Sequence, residues 1–421
     1  MSGPNTRVRP APLGPDDFQD WRRLQAAAYG ELWRREDYDS LREQLRGVFA
    51  DGRLAAGLRL WPFGIFFGER VVAGAGIGSV ATSAESRRQG YATGLLQSTL
   101  EDLRESGRVL ATLYPFSYAF YRRLGWQQVA DTVSYAIPLS DLPRSDRPEE
   151  GAAAPRGRAV LVSTCAPGET PRIEEGAIAL LDRAYRTHAR SYCGLVERGE
   201  EHWRRHLLTA RDAPRMATLW LDETGEPAGY IIYQLPAFYP MPQDIRVREL
   251  VAVDDGAYRG LLGYLRNHEG LYDKVRLHLA PGEPLLHYLP DPKVERELTA
   301  HFMARLVDLP QALEATADPL PGTCGSLALT VSDPFCPWNN GAWRVEVESG
   351  NVSVTRAGGG APGRPAAQAR TDVGTLAQMV FGFCRAGTAR AVGRLEASSG
   401  EAVTLLDSVW GRRTARLADS F

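Results

Sequence analysis

Cysteine is scarce in this chain. Five residues, Cys165, Cys193, Cys324, Cys336 and Cys384, are odd in number and widely separated, and no Cys-x-x-Cys occurs. That excludes a disulfide framework and signals no thiolate zinc site, so no metal is expected. No stretch approaches the ~18 consecutive apolar residues of a membrane span, and Met1-Ser2-Gly3-Pro4-Asn5-Thr6-Arg7 has no apolar secretory core. The expected compartment is the cytoplasm, with no membrane partner. Neither sign of charge dominates: Lys+Arg 49 against Asp+Glu 51 gives a net charge of −2. A broad nucleic-acid footprint is absent, and no nucleic-acid partner is expected.

What is present is an ordinary globular composition, 44% hydrophobic and 24% charged over 421 residues, enough for about three domains. A Pro- and Gly-dense zone at 138–172 reads as a linker with at most one short strand, Ala159 to Ser163. A second zone surrounds Pro281-Gly282-Glu283-Pro284, and Asp318-Pro319-Leu320-Pro321-Gly322 precedes a change of pattern. Domains are therefore placed at 1–150, 157–310 and 311–421.

The first segment opens with a helix carrying Phe18, Trp21, Leu24 and Ala28 at helical spacing. A buried strand follows at Val71–Thr82. A helix with Leu95, Leu96, Leu100 and Leu103 on one face starts near Gly90, and a strand follows at Val109–Leu113. A helical turn from Tyr118 ends at Gly125, and Thr132–Ile137 is a further strand; the order is that of an α/β layer unit. The last segment alternates apolar and polar residues at Ser326–Val331, Ala342–Val347 and Val352–Thr355. It has a Gly-rich hairpin or loop at 358–363 and one helix at Thr375–Phe383, as expected of an α+β module on a separate core. The fold class is mixed, α/β and α+β.

Chemistry concentrates in the run from Ser79 to Thr93, where a strand passes through a loop into a helix. A helix start offers unpaired N–H groups and the positive end of the dipole to a diphosphate. Gly90 removes a side chain where phosphates approach, and Arg87 and Arg88 add cationic donors; an exposed basic turn is the bland alternative. Other motifs fail. Gly74-Ala75-Gly76-Ile77-Gly78-Ser79 lacks the third glycine of a dinucleotide fingerprint. His202 and His206 sit four apart, but Trp203 stands where a zincin needs Glu, so they read as a charged surface face.

Arg-x-x-Gly-x-Ala (Arg87, Gly90, Ala92) resembles the acetyl-coenzyme A loop of the GNAT acetyltransferase superfamily. With the three-part length, the Leu113–Trp126 segment and the aromatic C-terminus, the chain resembles the enhanced intracellular survival (Eis) family of aminoglycoside N-acetyltransferases. The resemblance implies two tandem GNAT-like domains followed by a sterol-carrier-protein-like domain. The central one is degenerate and structural, since Arg248 to Leu262 runs from strand to helix without the loop motif. Val80, Ala81 and Thr82 then match the strand that pairs with the pantetheine arm. Arg87, Arg88, Gln89, Gly90, Tyr91, Ala92 and Thr93 match the diphosphate loop, and Phe116 and Ser117 a contact after the next strand.

Tyr121 matches the family's general acid. A phenol with a reference pKa of about 10 stays protonated at neutral pH and can give its proton to the leaving thiolate. Tyr118 and Tyr121, three apart, also fit simple core packing. The terminal carboxylate of Phe421 matches the family's base. The acidic residue usual before that aromatic is replaced by Ser420, with Asp419 one earlier, and the aromatic usual beside the cofactor strand by Ser79. Glu31 matches a carboxylate facing a cationic acceptor, with Trp33, Tyr38 and Phe116 as apolar walls, although a lone Glu on a helix is ordinarily just solvated. The expected reaction is acetyl transfer from acetyl-coenzyme A to an amine of a polycation such as an aminoglycoside, by a homo-oligomer, a hexamer in the family. A lipid-binding protein built on the last module, or an acetyltransferase of protein lysines or another amine, are the alternatives.

Overall fold

The computed structural model describes residues 10–144, 155–236, 244–357 and 367–419. The first helix, Phe18–Tyr29, buries Phe18, Trp21 and Leu24, whereas Ala28 faces solvent. Two strands without a clear sequence signal follow, Leu45–Ala50 and the fifteen-residue Arg53–Phe67. The latter pairs antiparallel with Arg70–Thr82, and Leu110–Leu113 joins parallel to that strand after the crossover helix Tyr91–Glu105.

The central segment repeats this plan. Gly157–Cys165, Arg215–Asp222, Pro227–Gln234 and Ile245–Ala252 form an antiparallel meander, and the helix Asp255–Arg266 crosses to the parallel strand Lys274–Leu279. Its first strand is nine residues long, so the zone read as a linker holds a full strand and a second short one, Arg172–Ile173. The two halves then exchange strands. Glu295–Leu306 inserts between Leu110–Leu113 and Gln127–Pro138, antiparallel to both, while Gln127–Pro138 pairs with Lys274–Leu279. One fourteen-stranded sheet results.

The last segment forms a five-stranded sheet containing the three alternating strands. Among the described residues four helices accompany it, Leu309–Thr316, Val373–Val380, Ala386–Ala391 and Gly400–Val409, rather than the one expected. Nor is its core separate. Leu327, Leu329, Val345, Leu376 and Val380 pack in one continuous cluster with Ile65, Phe67, Leu110, Val129 and Phe302 of the large sheet. The reason is that the sheet face opposite the crossover helix is apolar there and needs a cover. A buried ion pair crosses the same boundary, with Arg305 Nη2 lying 2.8 and 2.7 Å from the Asp333 carboxylate oxygens. The Gly-rich segment expected as a hairpin or loop, 358–363, lies outside the described residues. Among those described, no helix is long and apolar enough to cross a membrane.

Candidate active site

The site begins where two strands part. Pairing between Arg70–Thr82 and Leu110–Leu113 ends at Ile77 and Leu113, yet the first strand continues to Thr82. On its other side the register slips between Gly57 and Arg59, and Ser79 takes φ 52°. Such a bulge bends a strand and raises its twist, so the two strands diverge into a wedge. The first helix pins it: Gln25 Nε2 donates to Ser79 O at 3.0 Å and Tyr29 Oη to Val80 O at 2.7 Å. Val80 and Ala81 are buried and Thr82 half-buried, and past Ile77 the side of this strand that faced Leu110–Leu113 has no strand partner. An unpaired strand edge is the partner an extended amide-bearing arm needs.

The loop that follows leads straight into the helix Tyr91–Glu105, whose Leu95, Leu96, Leu100 and Leu103 are buried as the periodicity predicts. Its first intrahelical bond runs from Gly94 N–H to Gly90 O at 2.9 Å, and no side chain caps the turn. The amides of Tyr91, Ala92 and Thr93 therefore precede any helical acceptor. Arg88 (φ 63°) and Gly90 (φ 88°) are both left-handed, a backbone that gathers N–H groups into an anion-binding concavity. Arg87, Arg88 and Gln89 are exposed, and Gln89 Nε2 donates to Glu85 O at 3.0 Å. These residues fit a nucleotide diphosphate: uncapped amides, the positive dipole end and two solvent-facing guanidinium groups converge.

Tyr121 sits on the short helix Tyr118–Arg122, which Ser117 caps by accepting from Phe120 N–H at 3.3 Å. Its ring is 1% exposed and lies against Phe116 (5.2 Å), Phe120 (5.1 Å) and Trp126 (6.1 Å). The hydroxyl has no hydrogen bond among the described residues. Burial, then the nearby Tyr29, pushes its pKa well above the ordinary phenol value, so the protonated form is the one present. Tyr121 also belongs to the cluster around Leu95, Leu96 and Leu113; a packed ring coexists with a hydroxyl that no described residue bonds. Phe116 is exposed and stacks on Phe120 at 5.6 Å.

Phe421 and Ser420 lie outside the described residues, but the chain before them is held at the site. Cys193 N–H donates to Thr414 O and Arg416 N–H to Cys193 O. The Arg416 side chain, buried, meets Glu283 at 2.6 Å. Tyr114, just past Leu110–Leu113 at the mouth of the wedge, donates from Oη to Asp419 O at 2.7 Å. The Asp419 side chain is fully buried. Arg198 Nε and Nη2 donate to its two oxygens at 3.0 and 3.1 Å, and His202 Nε2 lies 2.7 Å from Oδ1. Arg198 also holds Glu249 at 2.6 and 2.9 Å and stacks on Tyr185 at 3.7 Å. Burial pushes the Asp419 pKa up, but Arg198 and His202 outweigh it and hold the carboxyl below the usual range. Asp419 is thus an anchor of the tail, its carboxylate committed to Arg198 and His202.

The histidines are a correction. His202 is buried, His206 half-buried, and both rings lie 5.0 Å from Trp61. They do not form an exposed face, and burial, with His202, Arg59 and Arg211 nearby, pulls His206 down to about 4, leaving that ring neutral. The π-helical turn Trp203–Leu208 and the arrival of Asp419 set this arrangement. Of the acceptor candidates, Glu31 is exposed and accepts from Trp33 Nε1 at 3.3 Å, while Trp33 packs edge-on against Trp21. Tyr38 offers no open wall. It is fully buried beside Phe18, with its hydroxyl on Gly14 O at 2.6 Å, because the end of the short helix Arg35–Leu41 folds onto the first. Sequence reasoning missed Arg198, Trp61 and Tyr114, whose roles depend on partners far away in the chain.

Residues 9–129 and 194–306 each match a family model described as an acetyltransferase (GNAT) domain, and 309–417 match a sterol carrier protein domain. A protein of Streptomyces avermitilis, named an uncharacterized N-acetyltransferase, is 30% identical over 385 residues, covering 86% of this chain and 84% of its own. One of Streptomyces griseus, named likewise, is 27% identical over 394 residues, 87% of each. A GCN5-related N-acetyltransferase from Anabaena variabilis shares the fold at TM-score 0.84 and 21% identity, over 98% of this chain and 100% of that one. Eis1 from Mycobacterium abscessus shares it at 0.77 and 23%, over 98% and 100%. The chain belongs to the GNAT N-acetyltransferases, as an enzyme of two tandem GNAT domains followed by a sterol carrier protein domain.

Proposed function

We propose that the first domain transfers acetyl from acetyl-coenzyme A directly to a primary amine. GNAT domains use this donor, and the loop from Arg87 to Thr93 has the amides and cations to hold its diphosphate, with the open edge at Val80–Thr82 receiving the pantetheine arm. The acceptor amine, having lost its ammonium proton to solvent, attacks the thioester carbonyl. As the C–S bond breaks, Tyr121 gives its proton to the sulfur. The terminal carboxylate of Phe421 takes the second amine proton, and the tyrosine is restored through solvent. The observation that carries this reading is the hydroxyl of the buried Tyr121, without a hydrogen-bond partner among the described residues, in the same domain as the uncapped loop.

The aminoglycoside expected from the Eis resemblance rests on Glu31, exposed at the end of the first helix. The buried carboxylates around the tail, Asp419, Glu249 and Glu283, are held by Arg198 and Arg416 and are not free for a cation, so only the primary amine is proposed here. Thiol release with Tyr121→Phe is the test. A general acid contributes roughly 10²–10⁴-fold, so kcat falls by at least about a hundredfold at unchanged acetyl-coenzyme A affinity. Full turnover in that variant removes the acid assignment.

A further inference from the structure

Arg59 lies in the middle of Arg53–Phe67, paired with Gly78 one step before the bulge. Its neighbours Leu58 and Leu60 pack in the cluster under the crossover helix. Successive side chains on a strand alternate, so Arg59 and Trp61 point to the opposite face, the one the tail crosses. Trp61 contacts His202 there, and His202 holds Asp419. Arg59 is only 8% exposed. Its Nε donates to Gln44 Oε1 at 2.9 Å, and its guanidinium lies 4.8 Å over the Trp61 ring. Neither terminal nitrogen bonds to a described residue, and neither is sealed from solvent.

Buried charges are ordinarily paired, because desolvating an ion costs far more than a lone hydrogen bond returns. Three of the other buried arginines follow that rule: Arg198 has Glu249 and Asp419, Arg305 has Asp333, and Arg416 has Glu283. Arg215 has no carboxylate either, but one of its terminal nitrogens is already held by the Leu207 carbonyl, whereas both of those on Arg59 are open. Arg59 has no carboxylate within ion-pair distance among the described residues, and burial alone brings its pKa down to about 10. The carboxylate that reaches this face with the tail, Asp419, is committed to Arg198, while Arg211 adds positive charge beside His206. The diphosphate loop is not the missing partner, since it opens the crossover helix on the other face of the sheet.

We propose that Arg59, backed by Trp61 and braced by Gln44, receives an anionic group of the acceptor, so that the substrate is a primary amine bearing a carboxylate or phosphate rather than a polycation. The proposal rests on the acetyl-transfer reading above. A planar guanidinium over an aromatic face, with both terminal nitrogens open, suits bidentate capture of either anion.

The test uses the full chain and matched acceptors: tryptophan against tryptamine for a carboxylate, O-phosphoethanolamine against ethanolamine for a phosphate, and kanamycin as the polycation. Expected is a kcat/KM preference of about tenfold to a hundredfold for the anionic member of at least one pair, the size of a charged hydrogen bond. Which pair shows it distinguishes carboxylate from phosphate. In Arg59→Met that ratio collapses toward one, chiefly through KM, and Arg59→Lys retains part of it and serves as the folding control. Equal rates within both pairs in the native enzyme, or a ratio that survives Arg59→Met, overturns the proposal. Equal loss on every acceptor counts against it too, because Arg59 would then serve the tail. If kanamycin alone is acetylated, the transfer reading stands and this inference falls. If nothing is acetylated, calorimetry with indole-3-acetate and inorganic phosphate decides: binding abolished by Arg59→Met supports the anion site, and no binding to the native protein refutes it.

Discussion

Asp419→Asn tests the anchoring of the tail. The substitution keeps the shape but removes the charge that Arg198 meets at 3.0 and 3.1 Å and His202 at 2.7 Å, all buried. Breaking one partner of a buried pair costs about 3–5 kcal/mol. Arg198 keeps Glu249 at 2.6 and 2.9 Å, and the amide can still accept one bond, so about 3 kcal/mol is the reasonable figure. At roughly 1.4 kcal/mol per decade the docked population of the tail falls about a hundredfold relative to the undocked. Hydrogen exchange followed by mass spectrometry should then show faster exchange in peptides covering 411–419, while the five-stranded sheet stays protected. Thiol release should show kcat falling in step with the fraction of the tail that exchange reports as undocked. An undocked tail with kcat within about twofold of native would dismiss the terminal carboxylate as base. A tail still protected would refute the energetics argued for the clamp.

Other consequences follow from the same contacts. His206 and His188 are pulled down from 6.5 to about 4 and about 3, in each case first by burial. The unfolded chain therefore binds protons that the fold does not as pH drops from 6.5, and stability is lost on acidification through that window; a midpoint flat between pH 7 and pH 4.5 contradicts this. Gly125 adopts φ 85°, and a Cβ there would strike the Arg305 guanidinium that holds Asp333. Gly125→Ala should cost more than about 2 kcal/mol, combining backbone strain with damage to a buried pair. An unchanged Tm would show that the last module is not latched to the first domain in this way.

Some of this was legible locally. The loop at Arg87–Thr93, the helix behind it and the turn at Gly125 emerged from short-range spacing because their chemistry is short-range. The alternating strands of the last module emerged for the same reason. Arg53–Phe67 did not: it carries Pro62, which removes a ladder donor and is unusual inside a strand. The structure tolerates Pro62 because that edge lies between Arg59, the last residue paired to Leu45–Ala50, and Ile65, which pairs with Val196. The exchanged strand Glu295–Leu306 carries no mark of its distant partners. His202 looked like a surface residue because the carboxylate it meets lies 217 positions away. Asp419 was visible as an oddity of the tail, but only the fold supplies Arg198. The shared core of the last module depends likewise on apolar residues, Ile65 and Phe67, from the strand that sequence patterning had missed.

The most direct measurement is a crystal structure of the protein with acetyl-coenzyme A. The account predicts diphosphate oxygens within hydrogen-bond distance of the amides of Tyr91, Ala92 and Thr93, the pantetheine amides on the edge at Val80–Thr82, and the thioester sulfur beside the Tyr121 hydroxyl. A nucleotide seated in the central domain, or a sulfur remote from that phenol, would contradict it.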